Sequence, residues 1–467
     1  MNLNELQEPK DFRDRISSVT EGGKRKWIHA LQPAGKFYTL RTYSSYFYLF
    51  IFFVIPFIWV SGEPLFMLNF PKGKFILFTK IFWPQDFFIF AVAMITFIIF
   101  IALFTVIYGR LFCGWACPQT IFMEMVFRKI EWLIEGSPNQ QKALNDKPWD
   151  FDKVYKKLLK HGIFLFISFL IANTFLAYII GIDELYKIIK EPISQHLSLL
   201  GGLVFFTFLF YGVYAYVRDI ICTTVCPYGR LQSVLFDKDT MQIAYDYTRG
   251  EPRGKIQKNQ ERNFGDCIDC KKCVQVCPTG IDIRDGVQME CVGCTACIDV
   301  CDDVMDKVGY PRGLIRYASE NEVSGKGKFK FNTRMKAYTA LLSFLILFMA
   351  VLIATRKTID TYVQRAHGQL YQEMEDSKIS NLYTGKIINK SSKQQQVNIK
   401  LEHLAGEIRM IGNQSLKLKP EAIHDFEFFI VLNSKDVSQR NNNIEIGVYQ
   451  NGEKIQTISS AFLGPFK

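Results

Sequence analysis

Cys267-Ile268-Asp269-Cys270-Lys271-Lys272-Cys273-Val274-Gln275-Val276-Cys277-Pro278, followed by Cys291-Val292-Gly293-Cys294-Thr295-Ala296-Cys297-Ile298-Asp299-Val300-Cys301, decides how this chain is read. Both runs have the spacing Cys-x2-Cys-x2-Cys-x3-Cys. Three thiolates, each three positions after the last, wrap one face of an iron–sulfur cubane on a tight loop. The fourth lies four positions further, at the start of a helix that leads away to the neighbouring cubane. The spacing therefore predicts two [4Fe–4S] clusters with crossed ligands. Cys267, Cys270, Cys273 and Cys301 hold one, and Cys291, Cys294, Cys297 and Cys277 hold the other. Structural zinc prefers paired Cys-x2-Cys knuckles with a long spacer, which two triple runs do not provide. Asp302 stands where this pattern usually has proline after the last cysteine, which puts the local turn, but no ligand, in question.

Five stretches outside the cassette are apolar enough to cross a bilayer, at roughly 20 residues each. They run over Tyr43–Val60, Phe87–Tyr108, Ile163–Ile180, Leu197–Val217 and Ala337–Ala354. Lysine and arginine orient them. The stretch up to Arg41 carries eight and the Gly109–Gly162 connection nine, against three in Ser61–Asp86 and two in Gly181–His196. The richer segments are expected in the cytoplasm. The N-terminus and the cassette then lie inside, disulfides are disfavoured there, and the tail lies outside, in the periplasm of a two-membrane cell. No cleaved secretory signal is expected in the polar, basic first 40 residues. The net charge of +11 fits anionic lipid headgroups. Nucleic-acid binding is set aside, because no basic stripe is interleaved with stacking aromatics away from the membrane.

An internal repeat joins these two levels. The first helical pair ends in Arg110-Leu111-Phe112-Cys113-Gly114-Trp115-Ala116-Cys117-Pro118. The second ends in Arg218-Asp219-Ile220-Ile221-Cys222-Thr223-Thr224-Val225-Cys226-Pro227. Two same-sense copies of Cys-x3-Cys-Pro suggest a pseudo-two-fold axis along the membrane normal. A proline makes the residue before it extended, so each pair should straddle a helix end. If the axis holds, Cys113, Cys117, Cys222 and Cys226 converge. They would bind a soft metal such as Cu(I), cycle as a dithiol, hold a further redox centre, or merely cap helices. Arg110 and Arg218 could lower the thiol pKa values, but anchoring at the headgroups is the simpler role. Met123, Met125, His29, His161 and His196 are discounted as copper ligands.

The chain thus divides into a cytoplasmic segment 1–42, four spans in two repeats over 43–217 and a cytoplasmic region 218–336 with its ferredoxin domain at about 258–310. A fifth span over 337–354 and a periplasmic domain over 355–467 complete it. Alternating runs such as Gln396–Leu401, Phe426–Leu432 and Ile444–Tyr449, punctuated by polar turns, predict a small β-sandwich in that tail. It has no Cys and no Trp, so the disulfide and buried Trp of an antibody domain are absent. The fold class is a multi-domain membrane protein, with a helical transmembrane bundle, an inserted bacterial-type 2[4Fe–4S] ferredoxin domain and a C-terminal immunoglobulin-like sandwich.

These residues resemble the cytochrome c oxidase accessory protein family of the CcoG/FixG/RdxA type. The likeness is carried by Lys26-Trp27-Ile28-His29, by residues 82–86, by the stretch from Cys113 to Thr120, by Ile130–Gly136 and by Val225–Tyr228. It continues through Phe236–Asp239, Arg249–Gly254, the cassette with Gly280–Asp285, Val304–Lys307 and Gly309–Ile315, and more loosely through Asn381–Asn389. The resemblance implies a membrane-bound polyferredoxin in the bacterial cytoplasmic membrane, acting in assembly of a cbb3-type haem–copper oxidase by reducing Cu(II) to Cu(I). Cys113, Cys117, Cys222 and Cys226 become the expected place for copper or for the final electron. Copper-delivery or oxidase-assembly proteins become the expected partners, with an unknown electron donor and a homodimer left open. Two alternatives remain: an electron-transfer subunit fed by quinol, and a non-catalytic assembly scaffold.

Overall fold

Helices with apolar residues on every face have no side to turn to water, and five of them organise this chain. A computed structural model describes residues 25–465 except 61, 71–72, 78–79, 83–85, 256–263, 328, 367, 369, 375–376, 392, 413–415, 421 and 438. Among the described residues, Lys36–Phe57, Phe87–Tyr108, Phe151–Ile180, Leu197–Val217 and Thr333–Ala354 are long and apolar enough to cross a membrane. The protein is a multi-pass membrane protein.

Three of these helices begin earlier than the apolar stretches alone suggest, and in each case a side chain caps the new end. The first starts at Lys36 rather than Tyr43. The buried Asp299 carboxylate accepts from the Phe37 and Tyr38 amides at 3.1 and 2.7 Å. It regularises at Val54 and closes in a 3₁₀ turn over Ile55–Phe57, because Pro56 cannot donate to the helix. The third starts at Phe151, where Asp150 accepts from the Lys153 amide at 2.9 Å. The fifth starts at Thr333, with Asn332 accepting from Met335 at 2.9 Å. Side-chain caps satisfy amides that a helix N-terminus otherwise leaves unpaired.

The chain forms two compact units, 1–58 with 90–349 and 59–89 with 350–467. In the first, helices pack around Phe122, Phe127, Phe164, Ile171 and Tyr214. The cassette packs around Ile243, Ile281, Ile283, Ile298, Met305, Leu314 and Ile315. Two short strands, Gln242–Tyr245 and Ile315–Ala318, pair antiparallel beside it.

The second unit holds the immunoglobulin-like domain. Its strands are β1 (Ile359–Arg365), β2 (Gln372–Met374), β3 (Lys378–Asn389), β4 (Gln395–Glu402), β5 (Gly406–Met410), β6 (Lys417–Leu418), β7 (Ile423–Asn433), β8 (Asn441–Gln450) and β9 (Glu453–Leu463). One sheet has the order β5-β7-β3-β1, with β2 also on β3; the other has β6-β4-β8-β9. Tyr383 faces Phe428 across β3 and β7, and both are fully buried with Ile387, Ile430, Ile446 and Phe462. The Tyr383 hydroxyl donates to the Ala461 carbonyl at 2.8 Å, tying the two sheets together.

Residues 61–86 were expected only as a connection. They form a three-stranded meander over Phe66–Asn69, Lys74–Leu77 and Lys80–Phe82. Asp86, next in line, is buried against Arg356 at 2.6 Å and Lys390 at 2.5 Å. Trp83, Pro84 and Gln85 of the motif singled out above lie outside the described residues.

Candidate metal centre

The two cysteine runs share one backbone. Asp269 and Lys271 in the first, and Gly293 and Thr295 in the second, have positive φ between 51° and 69° at equivalent positions. These left-handed turns curl each loop so that successive cysteines face inward. The third cysteine of each run then falls on a helix, Lys272–Gln275 or Ala296–Val308. Cys301 lies on that second helix and is carried back to the first loop.

Cys267, Cys270, Cys273 and Cys301 line one cavity with Ile268, Val304, Met305, Leu314 and Ile315. Cys277, Cys291, Cys294 and Cys297 are enclosed as a second set. Burial first, then the neighbouring thiols, pushes Cys291 up to about 11 and Cys294 up to about 12. All eight are free thiols. The donor sets consist only of sulfur and, apart from the exposed Cys270, are buried or half-buried, which fits [4Fe–4S] clusters, and soft metals deprotonate such thiols on binding. The turn in question at Asp302 is held differently from the usual proline: its carboxylate accepts from the Gly313 amide at 2.9 Å.

The two Cys-x3-Cys-Pro segments also share a backbone. Cys117 and Cys226 are extended, at φ −64°, ψ 123° and φ −67°, ψ 113°, and each begins a new helix whose first residue is proline. In both, the second cysteine's amide donates five residues back, Cys117 to Phe112 at 2.9 Å and Cys226 to Ile221 at 2.8 Å. The segments touch. The Phe112 and Tyr228 rings meet edge-on at 6.1 Å, and Cys113 Sγ donates to Gln232 Oε1 at 3.4 Å. Burial, then the neighbouring thiols, holds Cys113 and Cys222 up at about 12. Arg110 pulls the Cys113 thiol down, but burial outweighs it.

The cassette docks directly on these segments. A Cβ at Gly114 would lie 2.5 Å from the Gly293 carbonyl oxygen, and one at Gly293 would lie 2.7 Å from that of Arg110. Only a bare backbone on each side permits this approach. Cys222 packs against the buried cluster of Val276, Val292, Cys294, Ala296 and Val300. Arg41 donates to the Gly114 carbonyl at 2.7 Å. The N-terminal strap joins in, with Leu31 donating to Gln275 at 2.8 Å and Trp132 donating to Ala30 at 3.3 Å.

The expectation that Arg110 and Arg218 anchor at headgroups is overturned, since both are buried. Arg110 donates to the Gly229 carbonyl at 2.7 Å and to that of Met289, so it staples both membrane segments to the cassette. Arg218 forms a two-pronged pair with Glu131 and lies over the Trp27 ring at 4.7 Å. Met123 and Met125 are packed in the helical core. His29 bonds Gln141, His161 bonds Tyr211 and His196 bonds Glu191.

Three family patterns match this chain. One described as a 4Fe-4S dicluster domain covers residues 217–320. One described as a 4Fe-4S binding domain covers 90–135, a stretch to which the cysteine spacing alone had attached no iron–sulfur signature. The third, an IG-like fold at the C-terminus of FixG, covers 349–465. Protein RdxB of Cereibacter sphaeroides is 34% identical over 394 residues, 80% of this chain and 82% of its own. Protein RdxA of the same organism is 33% identical over 397 residues, 81% of this chain and 83% of its own. Nitrogen fixation protein FixG of Rhizobium meliloti is 27% identical over 464 residues, 88% of this chain and 87% of its own. A cassette built for cubanes, five membrane helices and a FixG-type sandwich in one chain agree with that likeness, and the chain belongs to the RdxA/RdxB/FixG family of iron–sulfur membrane proteins.

Proposed function

We propose that this protein carries single electrons across its cytoplasmic face to Cu(II), yielding Cu(I) for assembly of a cbb3-type haem–copper oxidase. The observation that carries the reading is the docking of the Cys294 loop on the cysteine-bearing membrane segments, through Gly114, Gly293 and Arg110, with Cys222 packed against the cluster that contains Cys294. [4Fe–4S] clusters held by the crossed cysteine sets supply one-electron exchange. The chain's own part is to set the distances and exclude water. Cys270 with Lys271 and Lys272 is exposed and offers the edge to an external donor. The Cys294 side is shut against the membrane segments. Copper is the substrate, and each Cu(II) ion takes one electron. The basic segments favour the cassette in the cytoplasm. Residues 59–89 and the C-terminal domain form one unit, as a chain with those two segments on the opposite, periplasmic side requires.

The test is anaerobic. Full-length protein is reduced with dithionite, freed of excess reductant and mixed with Cu(II), and Cu(I) is followed with a chelating dye. Cys117→Ser combined with Cys226→Ser is expected to slow the reduction about tenfold or more, about 1.4 kcal/mol of barrier. An unchanged rate removes the membrane cysteines from the reaction.

A further inference from the structure

The 4Fe-4S binding pattern over 90–135 contains two cysteines, Cys113 and Cys117, which is half of a cubane's ligand set. The structure brings the missing half to the same place. The helix that begins after Cys226 lies against the Leu111–Trp115 turn, through the Phe112–Tyr228 contact, the Cys113–Gln232 bond and the Arg110 bond to Gly229. Both repeats present their second cysteine on the same extended residue before a helix-starting proline. We propose that Cys113, Cys117, Cys222 and Cys226 together hold a third [4Fe–4S] cluster, two ligands from each repeat.

Further observations suit an anionic sulfur-rich group here. The two segments that carry these thiols are in contact, through the Phe112 and Tyr228 rings and the Cys113–Gln232 bond. The buried amide nitrogen of Gln119, two residues after Cys117, has no hydrogen-bond acceptor. Buried donors without acceptors cost free energy, and cluster or thiolate sulfur would satisfy them. Arg41 and Arg110, both buried beside Gly114 and Gly229, supply the positive charge that a cubane with four thiolates needs in a low-dielectric site. Cys222 packs against the buried cluster that contains Cys294, so this site and the second cassette set are neighbours.

The inference deepens the electron-carrier reading and rests on it, but its test does not. Iron and acid-labile sulfide are counted on the anaerobically purified full chain, with Mössbauer spectra to assign cluster type. About twelve irons per chain are expected. Cys113→Ser with Cys117→Ser should leave about eight, and Cys222→Ser with Cys226→Ser should leave the same about eight, because either pair is only half a ligand set. About eight irons in the unmodified protein, or copper or zinc bound at these thiols, overturns the third cluster. Twelve irons with no reduction of Cu(II) would instead sink the copper reading alone.

Discussion

Cys277→Ser is expected to remove the cluster of the second cysteine run and to spare that of its own. Cys277 follows Cys273 by four positions, but it is enclosed with Cys291, Cys294 and Cys297, whose thiols press on one another. Cys301 instead lines the cavity of Cys267, Cys270 and Cys273. Serine in place of one ligand of a buried cubane forfeits the whole group, about four irons per chain. Low-temperature EPR of the reduced protein should therefore give the same residual spectrum for Cys277→Ser and Cys291→Ser. A second, different residual spectrum should be shared by Cys273→Ser and Cys301→Ser. If Cys277→Ser matched Cys273→Ser instead, ligation would be uncrossed and the geometry above misread.

The other large effect is expected at Glu131. It is buried with Arg218, 3.6 Å from Lys160, and Lys160 reaches on to Glu135 at 2.9 Å. Burial alone would raise the Glu131 carboxyl, but Arg218, Lys160 and Arg128 outweigh it and hold it below the ordinary carboxylate range. A carboxylate depressed in the folded state contributes stability above its unfolded pKa and loses it only as pH falls toward its folded value. The contribution is thus present at neutral pH. Glu131→Gln leaves the buried Arg218 without its carboxylate partner, while Lys160 keeps Glu135, and is expected to cost about 3–5 kcal/mol, read as an earlier thermal transition in detergent. Glu131→Leu with Arg218→Met should lose less than Glu131→Leu alone, since replacing both partners of a buried pair is close to neutral. Equal losses would mean the pair is not coupled.

What could be read from the chain directly was whatever chemistry writes locally. Ligand spacing in the cassette, the repeat ending in Cys-x3-Cys-Pro, the uniformly apolar spans and the alternation in the tail each depend on residues within a few positions of one another. The extended Cys117 and Cys226 follow from the prolines beside them. What could not be read depends on distant partners. Arg110 looks like a headgroup anchor until Gly229 and Met289 are brought to it. Asp299 looks like an ordinary cassette residue, yet it fixes where the first span begins. Gly114 and Gly293 carry no signal in isolation, and their meaning is the 2.5 Å that a side chain would leave between two backbones. The short strands over 66–82 are too brief to announce themselves by period.

One measurement bears most directly on the central claim, that the cassette holds twin cubanes. It is the iron, sulfide and zinc content of oxygen-free, full-length protein carrying Cys113→Ser, Cys117→Ser, Cys222→Ser and Cys226→Ser, so that only the cassette can bind metal. About eight irons and eight sulfides per chain, with reducible spins by EPR, are predicted. Zinc in their place, or iron without labile sulfide, would contradict it.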